Sequence, residues 1–430
     1  MITVVLDDDP TGTQAVSDVL VVLDWSDPGV WDGVRADERT VHMLTNSRAH
    51  TGAEAGALVA SAAAAARARH PRARLVLRGD STLRAHVWEE YDALRAVVAR
   101  GRALPLLLVP ALPAAGRVTI GGVHLIERDG VRVPLHETEY ARDGGLAYSD
   151  ADLARWADER SGGRLAAADA VRVPLERLRR PAGANDVAAA IAAAAAHGRP
   201  AAVIPDAETG ADLRAIARGL RAAEEARIGV IVRCAPAFAA VLTGSGARTP
   251  AAAPRGDRGV LVVCGSFVPA TTAQLEALAR ARPGAAIAAD VHALAGETWR
   301  DEADRLAADA RDRIDRLGLA VVATGRVRDP ALVDPDAQRR VATALAQVAR
   351  RVRAGVVVAK GGITAAVTAR AGLDARVARV IGPILPGVAL WRLAEGTDYV
   401  VVPGNVGGPG LLADVIAAIG PRAAATVPPR

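Results

Sequence analysis

The sequence predicts an α/β protein with two lobes, each built on a largely parallel sheet flanked by helices. Apolar, Val-rich runs of strand length alternate along the chain with longer Ala-, Arg- and Glu-rich segments. The runs are uninterrupted by polar residues, which is typical of parallel strands that are covered on both faces. The length of 430 residues allows two or three domains, each large enough to bury its own core.

The elements follow one another in βα order. Strands are predicted at 2–6, 18–24, 41–44, 74–78, 105–109, 201–204, 229–233, 259–264, 285–288, 319–323, 355–359 and 399–402. Helices are predicted at 52–70, 87–100, 186–197, 210–223, 271–282, 301–317, 335–353 and 409–418. Gly, Ser, Thr, Pro and Ala cluster between 243 and 259 without helical or strand periodicity, so this segment is predicted to be a linker or exposed loop. It divides the chain into domains at 1–243 and 259–430.

Composition narrows the class of function. The chain has 53 basic and 48 acidic residues, interspersed and without a basic run interleaved with aromatics, which argues against nucleic-acid binding. Cys234 and Cys264 lie far apart beside apolar runs and are predicted to be buried free thiols. The N-terminus lacks the pattern of a signal peptide, and the Ala-rich stretches are too short to span a bilayer. We expect a cytoplasmic protein with no membrane partner, with a homo-oligomer as an open alternative.

Glycine-rich turns follow three predicted strands of the second lobe, at Gly265, at Gly361-Gly362 and at 404–410. Glycine lets backbone N–H groups approach a ligand, and the helix that follows each turn favours a phosphate at its N-terminus. One such turn is common for geometric reasons alone. Three in one lobe predict a nucleotide site, and one of them follows Lys360, the only lysine in the chain. The P-loop pattern is absent, because this lysine precedes its glycines.

Two groups of polar residues follow strands of the first lobe. Asp7-Asp8-Asp9 ends the first strand, and three adjacent carboxylates need a cation or hydrogen-bond donors, whereas a capped turn explains only one of them. The segment 78–84 places two guanidinium groups, a carboxylate and two hydroxyls directly after another strand. Arg48 follows a third. This set of groups suits a small polyhydroxy acid, with arginine for its carboxylate and Asp, Ser and Thr for its hydroxyls.

Together these motifs resemble those of the four-carbon acid sugar kinase family, and the resemblance covers nearly the whole chain. Its Asp-Asp-x-Thr-Gly and Asp-Ser-Thr-Leu-Arg motifs are matched by 8–12 and 80–84, and its Ser-Arg by 47–48. The segments 110–117, 137–143, 265–266, 361–364 and 404–408 are also similar to family segments. Arg78 and Ala85 stand where the family often has Lys and Gly, which leaves the acid substrate open.

The resemblance implies an ATP-dependent kinase that phosphorylates the terminal hydroxyl of a threonate-, erythronate- or 3-oxo-tetronate-type acid, with Mg²⁺ accompanying the ATP phosphates. The residues expected to bind the acid are Asp8, Asp9, Arg48, Asp80, Ser81, Thr82, Leu83 and Arg84, with Asp80 or Asp8 as the catalytic carboxylate. The residues expected to bind the nucleotide are Ser266, Lys360, Gly361, Gly362, Ile363, Thr364, Gly404, Asn405 and Gly407. Two alternatives stay open, namely a kinase of another small hydroxy acid or polyol and a non-catalytic sensor of acid and nucleotide.

Overall fold

A computed structural model describes residues 2–35, 37–142, 144–246, 249–265, 269–325, 335–404 and 406–422. The chain forms two compact units. The first comprises Met1–Gly12 and Val34–Gly246, and the second comprises Thr13–Gly33 and Ala247–Arg430. The predicted sites at Ser266 and Asn405 lie outside the described residues.

The first unit contains strands that precede and strands that follow the segment Thr13–Gly33, which belongs to the second unit. Its strands are β1 (Thr3–Asp7), β3 (Thr40–Leu44), β4 (Arg74–Arg78), β5 (Leu106–Val109), β6 (Arg117–Ile120), β7 (Val123–Arg128), β8 (Val131–Pro134), β9 (Val171–Val173), β10 (Ala202–Pro205) and β11 (Ile231–Cys234). Its helices are α1 (Gly52–Arg69), α2 (Val87–Ala99), α3 (Leu153–Ser161), α4 (Leu175–Leu178), α5 (Gly183–Ala196), α6 (Gly210–Glu225) and α7 (Pro236–Thr243).

The main sheet of the first unit has the strand order β3-β1-β4-β11-β5-β10-β9, and its pairings are parallel. Side chains of α5 and α6, such as Val187 and Ile216, share a buried cluster with Val5, Val76 and Leu107 of the sheet. Burial of these apolar side chains is the main favourable contribution to folding in this layer. The strands β6, β7 and β8 form a separate antiparallel sheet in that order.

The second unit has a mixed sheet in which the parallel strands are contiguous. Its strands are β2 (Val19–Val22), β12 (Val260–Cys264), β13 (Ala286–Ala289), β14 (Leu319–Thr324), β15 (Val356–Lys360), β16 (Val377–Leu385), β17 (Val388–Leu393) and β18 (Asp398–Val402). Its helices are α8 (Pro269–Ala281), α9 (Val291–Ala295), α10 (Trp299–Leu317), α11 (Pro335–Val352), α12 (Gly362–Val367) and α13 (Leu411–Ile419). The order is β13-β14-β12-β15-β18-β17-β16-β2, parallel from β13 to β18 and antiparallel beyond.

The segment Thr13–Gly33 belongs to the second unit, although it lies inside the predicted first domain at 1–243. Its strand β2 pairs antiparallel with β16, with Val22 opposite Val377. The Trp391 indole N–H also donates a hydrogen bond to Thr13 Oγ1 at 2.8 Å. Long-range pairing of this kind decides which sheet a strand joins, and the order of elements along the chain does not reveal it. The predicted second domain at 259–430 lies within the second unit.

The predicted fold class is confirmed, because both units carry largely parallel sheets with flanking helices. The strands that were not predicted, β6 to β9, β16 and β17, are short, carry polar residues or belong to antiparallel pairs, so they lack the continuous apolar run of a buried parallel strand. Cys234 and Cys264 are buried, as predicted, and neither forms a disulfide within the described residues. None of the described helices is long and apolar enough to cross a membrane.

Candidate functional site

The polar groups of the first unit meet at the carboxyl edge of its parallel sheet. β1 ends at Asp7, β3 at Leu44 and β4 at Arg78, and these three strands are neighbours in register. The residues that follow them, 8–9, 45–48 and 79–84, therefore emerge side by side. In open parallel sheets this edge is where ligands bind.

Two arginines neutralise the row of aspartates. Arg78 Nη1 donates to Asp7 Oδ1 at 2.9 Å, to Asp8 Oδ1 at 2.9 Å and to the Asp9 carbonyl at 3.1 Å. Arg48 forms an ion pair with Asp9. The cation that three adjacent carboxylates require is thus supplied by the chain itself. Burial raises the pKa of the Asp9 carboxyl, but Arg48 and Arg78 outweigh burial and hold it below its usual value.

Asp8 is in a different electrostatic state from Asp9. Its side chain is 2% exposed, and Oδ2 has no hydrogen-bond partner among the described residues. Burial raises the pKa of this carboxyl to about 7, against the opposing effect of Arg48 and Arg78. A carboxyl with a pKa near 7 and an oxygen without a partner among the described residues is suited to accept a proton at neutral pH.

Asp80 is held as an anion by several donors. Its carboxylate accepts hydrogen bonds from Thr82 Oγ1 and from Arg84 Nε, the latter at 2.7 Å, and Arg48 Nη1 lies 3.4 Å from Oδ2. Burial alone would raise the pKa of Asp80, but Arg84, Arg48 and Arg117 together lower it well below its usual range. A carboxylate that releases its proton this readily is a weak base, and it is suited to orienting a hydroxyl or a cationic side chain.

The middle of the Asp80–Arg84 turn is buried. Ser81 Oγ accepts a hydrogen bond from Arg117 Nη1 at 2.8 Å, and the Thr82 carbonyl accepts one from the Tyr148 hydroxyl at 2.9 Å. Leu83 is 1% exposed and has a φ of 67°, in the left-handed region that a branched side chain rarely adopts. Strain of this kind is retained where surrounding contacts fix a functional turn.

A second layer of buried polar residues supports the site. Glu90 on α2 accepts a hydrogen bond from Ser47 Oγ at 2.5 Å and forms an ion pair with Arg233 on β11. His124 donates from Nε2 to the Ser81 carbonyl at 3.0 Å, and burial lowers its pKa to about 4, so the ring is neutral. None of Glu90, Arg233 and His124 was predicted from sequence. The available signal was a charged residue inside an otherwise apolar strand, as in Ile231-Val232-Arg233-Cys234.

Gly12 packs closely against the side chain of Asp7, where a larger residue would not fit. A Cβ on this residue would lie 2.2 Å from Asp7 Oδ2. We expect Gly12→Ala to lower the free energy of unfolding by about 2–3 kcal/mol, because a buried carboxylate must move away from Arg78. Chemical denaturation measures the change. Gly145→Ala is the control, since a Cβ there meets no atom within 4 Å. Equal stability of the two variants would contradict this account of Gly12.

In the second unit, the described glycine turns follow three adjacent parallel strands, β12, β15 and β18. Gly361 has a φ of 102°, which only glycine adopts without strain, and α12 begins directly after it. Thr364 Oγ1 accepts a hydrogen bond from the Gly265 N–H at 3.3 Å, which ties the first turn to the second. The predicted positions Gly361, Gly362, Ile363, Thr364, Gly404 and Gly407 thus lie in or directly after the turns that follow two neighbouring strands, β15 and β18.

Lys360 is enclosed at the end of β15. Its side chain is 0% exposed, Nζ donates a hydrogen bond to the Pro403 carbonyl, and burial lowers its pKa to about 8. This contact fixes the start of the turn that follows β18. The lysine therefore connects two of the glycine turns, and a role in contacting phosphate stays a prediction.

Gln274 on α8 holds the turn at 406–408 and was not predicted. Its Nε2 lies 3.0, 3.2 and 3.1 Å from the carbonyl oxygens of Val406, Gly407 and Gly408. Thr271, one turn earlier on the same helix, donates to the Gly404 carbonyl at 3.2 Å. Because these two side chains donate hydrogen bonds to carbonyl groups of the turn, the turn is fixed to α8.

The described residues do not form a dedicated Mg²⁺ site. In the described ranges, no group of three or more His, Cys, Asp or Glu side chains is placed to hold a metal ion. Asp7 and Asp9, the most clustered carboxylates, pair with Arg78 and Arg48. We therefore assign no residue to Mg²⁺ and derive no step through it.

Comparisons with known proteins match separate domain models to the N-terminal and the C-terminal part of the chain. Residues 3–242 match a family model described as a sugar-binding N-terminal domain, and residues 261–412 match one described as a nucleotide-binding C-terminal domain. The chain is 30% identical over 427 residues to a D-erythronate kinase of Heliobacterium modesticaldum, covering 92% of this chain and 91% of the relative.

Two solved structures share the fold. One is a Haemophilus influenzae protein, with a TM-score of 0.64, 18% identity and coverage of 97% of this chain and 100% of that one. The other is a Salmonella typhimurium LT2 protein, with a TM-score of 0.69, 19% identity and coverage of 96% of this chain and 98% of that one. At these identities the likeness shows the fold alone. The sequence matches establish a kinase that uses ATP, and the chain belongs to the four-carbon acid sugar kinase family.

Proposed function

We propose that the protein transfers the γ-phosphoryl group of ATP to the terminal hydroxyl of a four-carbon sugar acid, with D-erythronate as the first candidate. The observation that carries the proposal is Asp8, a buried carboxylate in a row of paired arginines and aspartates of the first unit. One of its oxygens has no hydrogen-bond partner among the described residues. The similarity to a D-erythronate kinase supports this choice of acid.

In the proposed mechanism Asp8 Oδ2 accepts the proton of the attacking hydroxyl. The hydroxyl oxygen forms a bond to the γ-phosphorus while the bond from that phosphorus to the oxygen of ADP breaks. Asp80 and Arg48 orient the acid, because both are ionised and held in place by other side chains. Phosphoryl transfer depends mainly on such positioning and on charge stabilisation.

The glycine turns of the second unit would bind the nucleotide through backbone N–H groups, with α12 presenting its N-terminal end. Support comes from the way Lys360, Thr364 and Gln274 fix these turns. Mg²⁺ stays part of the proposal as an ion that accompanies the ATP phosphates.

We expect Lys360→Ala to raise the KM for ATP roughly tenfold, because the Pro403 carbonyl loses a charge-assisted hydrogen bond and the turn after β18 loosens. The KM for the acid should stay within twofold. Steady-state kinetics with either substrate varied measures both. Arg316→Ala, which removes an exposed cation paired with Asp312, is the control. An unchanged KM for ATP in Lys360→Ala would remove this residue from the nucleotide site.

The deciding experiment mixes the protein with ATP, Mg²⁺ and a panel of acids comprising D-erythronate, L-erythronate, D-threonate, L-threonate and 3-oxo-tetronate, and follows ADP. ³¹P and ¹³C spectra of the product locate the phosphorylated hydroxyl. ADP release with one acid and phosphate on its terminal carbon support the proposal. Binding of acid and nucleotide without ADP release would favour the sensor, and turnover only with neutral polyols would overturn the substrate class.

We also infer a cytoplasmic location, which the buried Cys234 supports, because its thiol forms no disulfide in the part of the chain that the structure describes. A homo-oligomer stays a proposal that sedimentation velocity tests. Partners other than the acid and ATP are not part of the proposal.

A further inference from the structure

Arg117 is a buried cation at the edge of the Asp80–Arg84 turn. It opens β6 and is 4% exposed. Its Nη1 donates to Ser81 Oγ at 2.8 Å, while Nε is buried and has no hydrogen-bond partner in the part of the chain that the structure describes. A guanidinium group stays charged at any physiological pH, so it cannot escape burial by losing a proton.

Arg117 differs from the other arginines of the site because no carboxylate of the described residues forms an ion pair with it. Each of the others forms an ion pair with a carboxylate: Arg48 with Asp9 and Asp80, Arg78 with Asp7 and Asp8, Arg84 with Asp80, and Arg233 with Glu90. Within the described ranges, no Asp or Glu oxygen lies within 4.0 Å of the Arg117 guanidinium. Its direct partner is the neutral hydroxyl of Ser81.

Further positive charge surrounds the same place. The guanidinium carbons of Arg84, Arg117 and Arg128 lie 5.6, 5.8 and 5.6 Å from the centroid of the Tyr140 ring. Of these, Arg128 pairs with Glu139 at 2.7 Å and Arg84 pairs with Asp80. Arg84 and Arg128 thus each have a carboxylate in direct contact, and Arg117 does not. Burying a charge without a counter-ion in contact is costly, and an anion from outside the chain would lower that cost.

We propose that Arg117 binds the carboxylate group of the sugar acid and thereby selects an acid over a neutral polyol. The inference rests on the proposed function and names the recognition group within it. A row of contacts begins at Arg117, which donates a hydrogen bond to Ser81. Ser81 follows Asp80 in the chain, and Arg48 forms ion pairs with both Asp80 and Asp9. An acid whose carboxylate lies on Arg117 therefore has its hydroxyl groups along this row and its far end directed toward Asp8.

The test compares Arg117→Met with Arg128→Met, the matched control. Both variants remove a guanidinium group from the surroundings of Tyr140, but Arg128 already has Glu139 as its counter-charge. For each protein kcat/KM is measured with the preferred acid of the panel and with the neutral polyol of the same configuration, such as D-erythronate and erythritol. Calorimetric titration of the acid without ATP measures binding apart from catalysis. Circular dichroism and thermal melting verify the fold.

In Arg117→Met we expect kcat/KM for the acid to fall about 100-fold and its calorimetric Kd to rise by a similar factor, because a buried charge-assisted contact is lost. We expect the value for the polyol and the KM for ATP to change less than threefold. Arg117→Lys should recover part of the loss, since a lysine keeps the charge but not the planar fork. Arg128→Met should match the wild type.

Equal losses for acid and polyol would overturn the proposal, since they would mean that Arg117 only positions Ser81. A rise in the KM for ATP without a change for the acid would also overturn it, because the anion would then be a phosphate. Failure of the proposed function looks different, as the wild type would release no ADP with any acid. In that case the titrations still decide, because acid binding that Arg117→Met abolishes supports the assignment and equal binding in both proteins, or none, contradicts it.

Discussion

Asp8→Asn is expected to lower kcat about 10³-fold while leaving the KM for the acid and for ATP within a few-fold of the wild type. Asparagine keeps the oxygen that accepts from Arg78 Nη1 and removes the ability to accept a proton at the second oxygen. Loss of a positioned general base has costs of this size. Single-turnover kinetics at saturating substrates isolate the chemical step. A loss smaller than about tenfold would contradict Asp8 as the base.

The pH profile gives this prediction a second readout. The base acts as a carboxylate, and the pKa of Asp8 is raised to about 7. kcat/KM of the wild type should therefore rise with pH, pass through its midpoint near pH 7 and level off above it. Asp8→Asn should lack this ionisation in its residual rate.

The same shift predicts an effect on stability with the opposite direction. Because the folded state holds the Asp8 proton more tightly than the unfolded chain, this residue contributes stability at low pH and loses it as the pH rises from about 4 to about 7. Asp8→Asn carries no charge at any of these pH values. We therefore expect its Tm to exceed that of the wild type at pH 8 and to approach it at pH 5. A variant that is both less active and more stable is typical of a strained functional group.

Asp80→Asn is the second large effect, and we expect it to lower kcat/KM for the acid about 100-fold, mainly through KM. The change removes the counter-charge shared by Arg84 and Arg48 and leaves two guanidinium groups partly uncompensated. Because Asp80 is ionised throughout the physiological range, the pH midpoint near 7 should persist in this variant. Disappearance of that midpoint would instead assign the base to Asp80.

The control for Asp80→Asn is Asp169→Asn, which removes a carboxylate paired with the exposed Arg199 in the same unit. Exposed ion pairs contribute little, so its kinetics should equal those of the wild type. The stability of Asp80→Asn should also differ in its pH dependence. The lowered pKa of Asp80 gives stability that is complete above its unfolded value of 3.8 and is lost as the pH falls below it, so the wild type and the variant should converge in acid.

Many residues of the candidate site could be predicted from the ends of the predicted strands alone. Asp8, Arg48 and Asp80 each follow an apolar run, and the carboxyl ends of adjacent parallel strands meet at one edge. The roles of the two aspartates were not accessible in this way. They depend on which arginines reach which oxygen, since Asp80 is held by three donors and one Asp8 oxygen has no donor within the described ranges.

Residues distant in sequence were missed for the same reason. Glu90 and Gln274 have no local pattern that marks them, and their partners lie 43 to 143 residues away. Arg117 and Arg233 lie in recognisable segments, but their contacts are with residues 36 and 143 positions away. The position of Thr13–Gly33 in the second unit likewise depends on the pairing of β2 with β16. Hydrogen bonds between distant segments are set by packing and not by local propensity.

The sequence by itself determined the α/β class, most of the buried parallel strands and the longer helices, the glycine turns and the polar strand ends, since these follow from local hydrophobic period and turn chemistry. Only the tertiary structure decided the protonation states, because a pKa depends on burial and on charges brought close by folding. It also decided that Lys360 lies enclosed against Pro403 and that Arg117 lacks a carboxylate partner among the described residues. These are properties of distances between residues that the linear order does not contain.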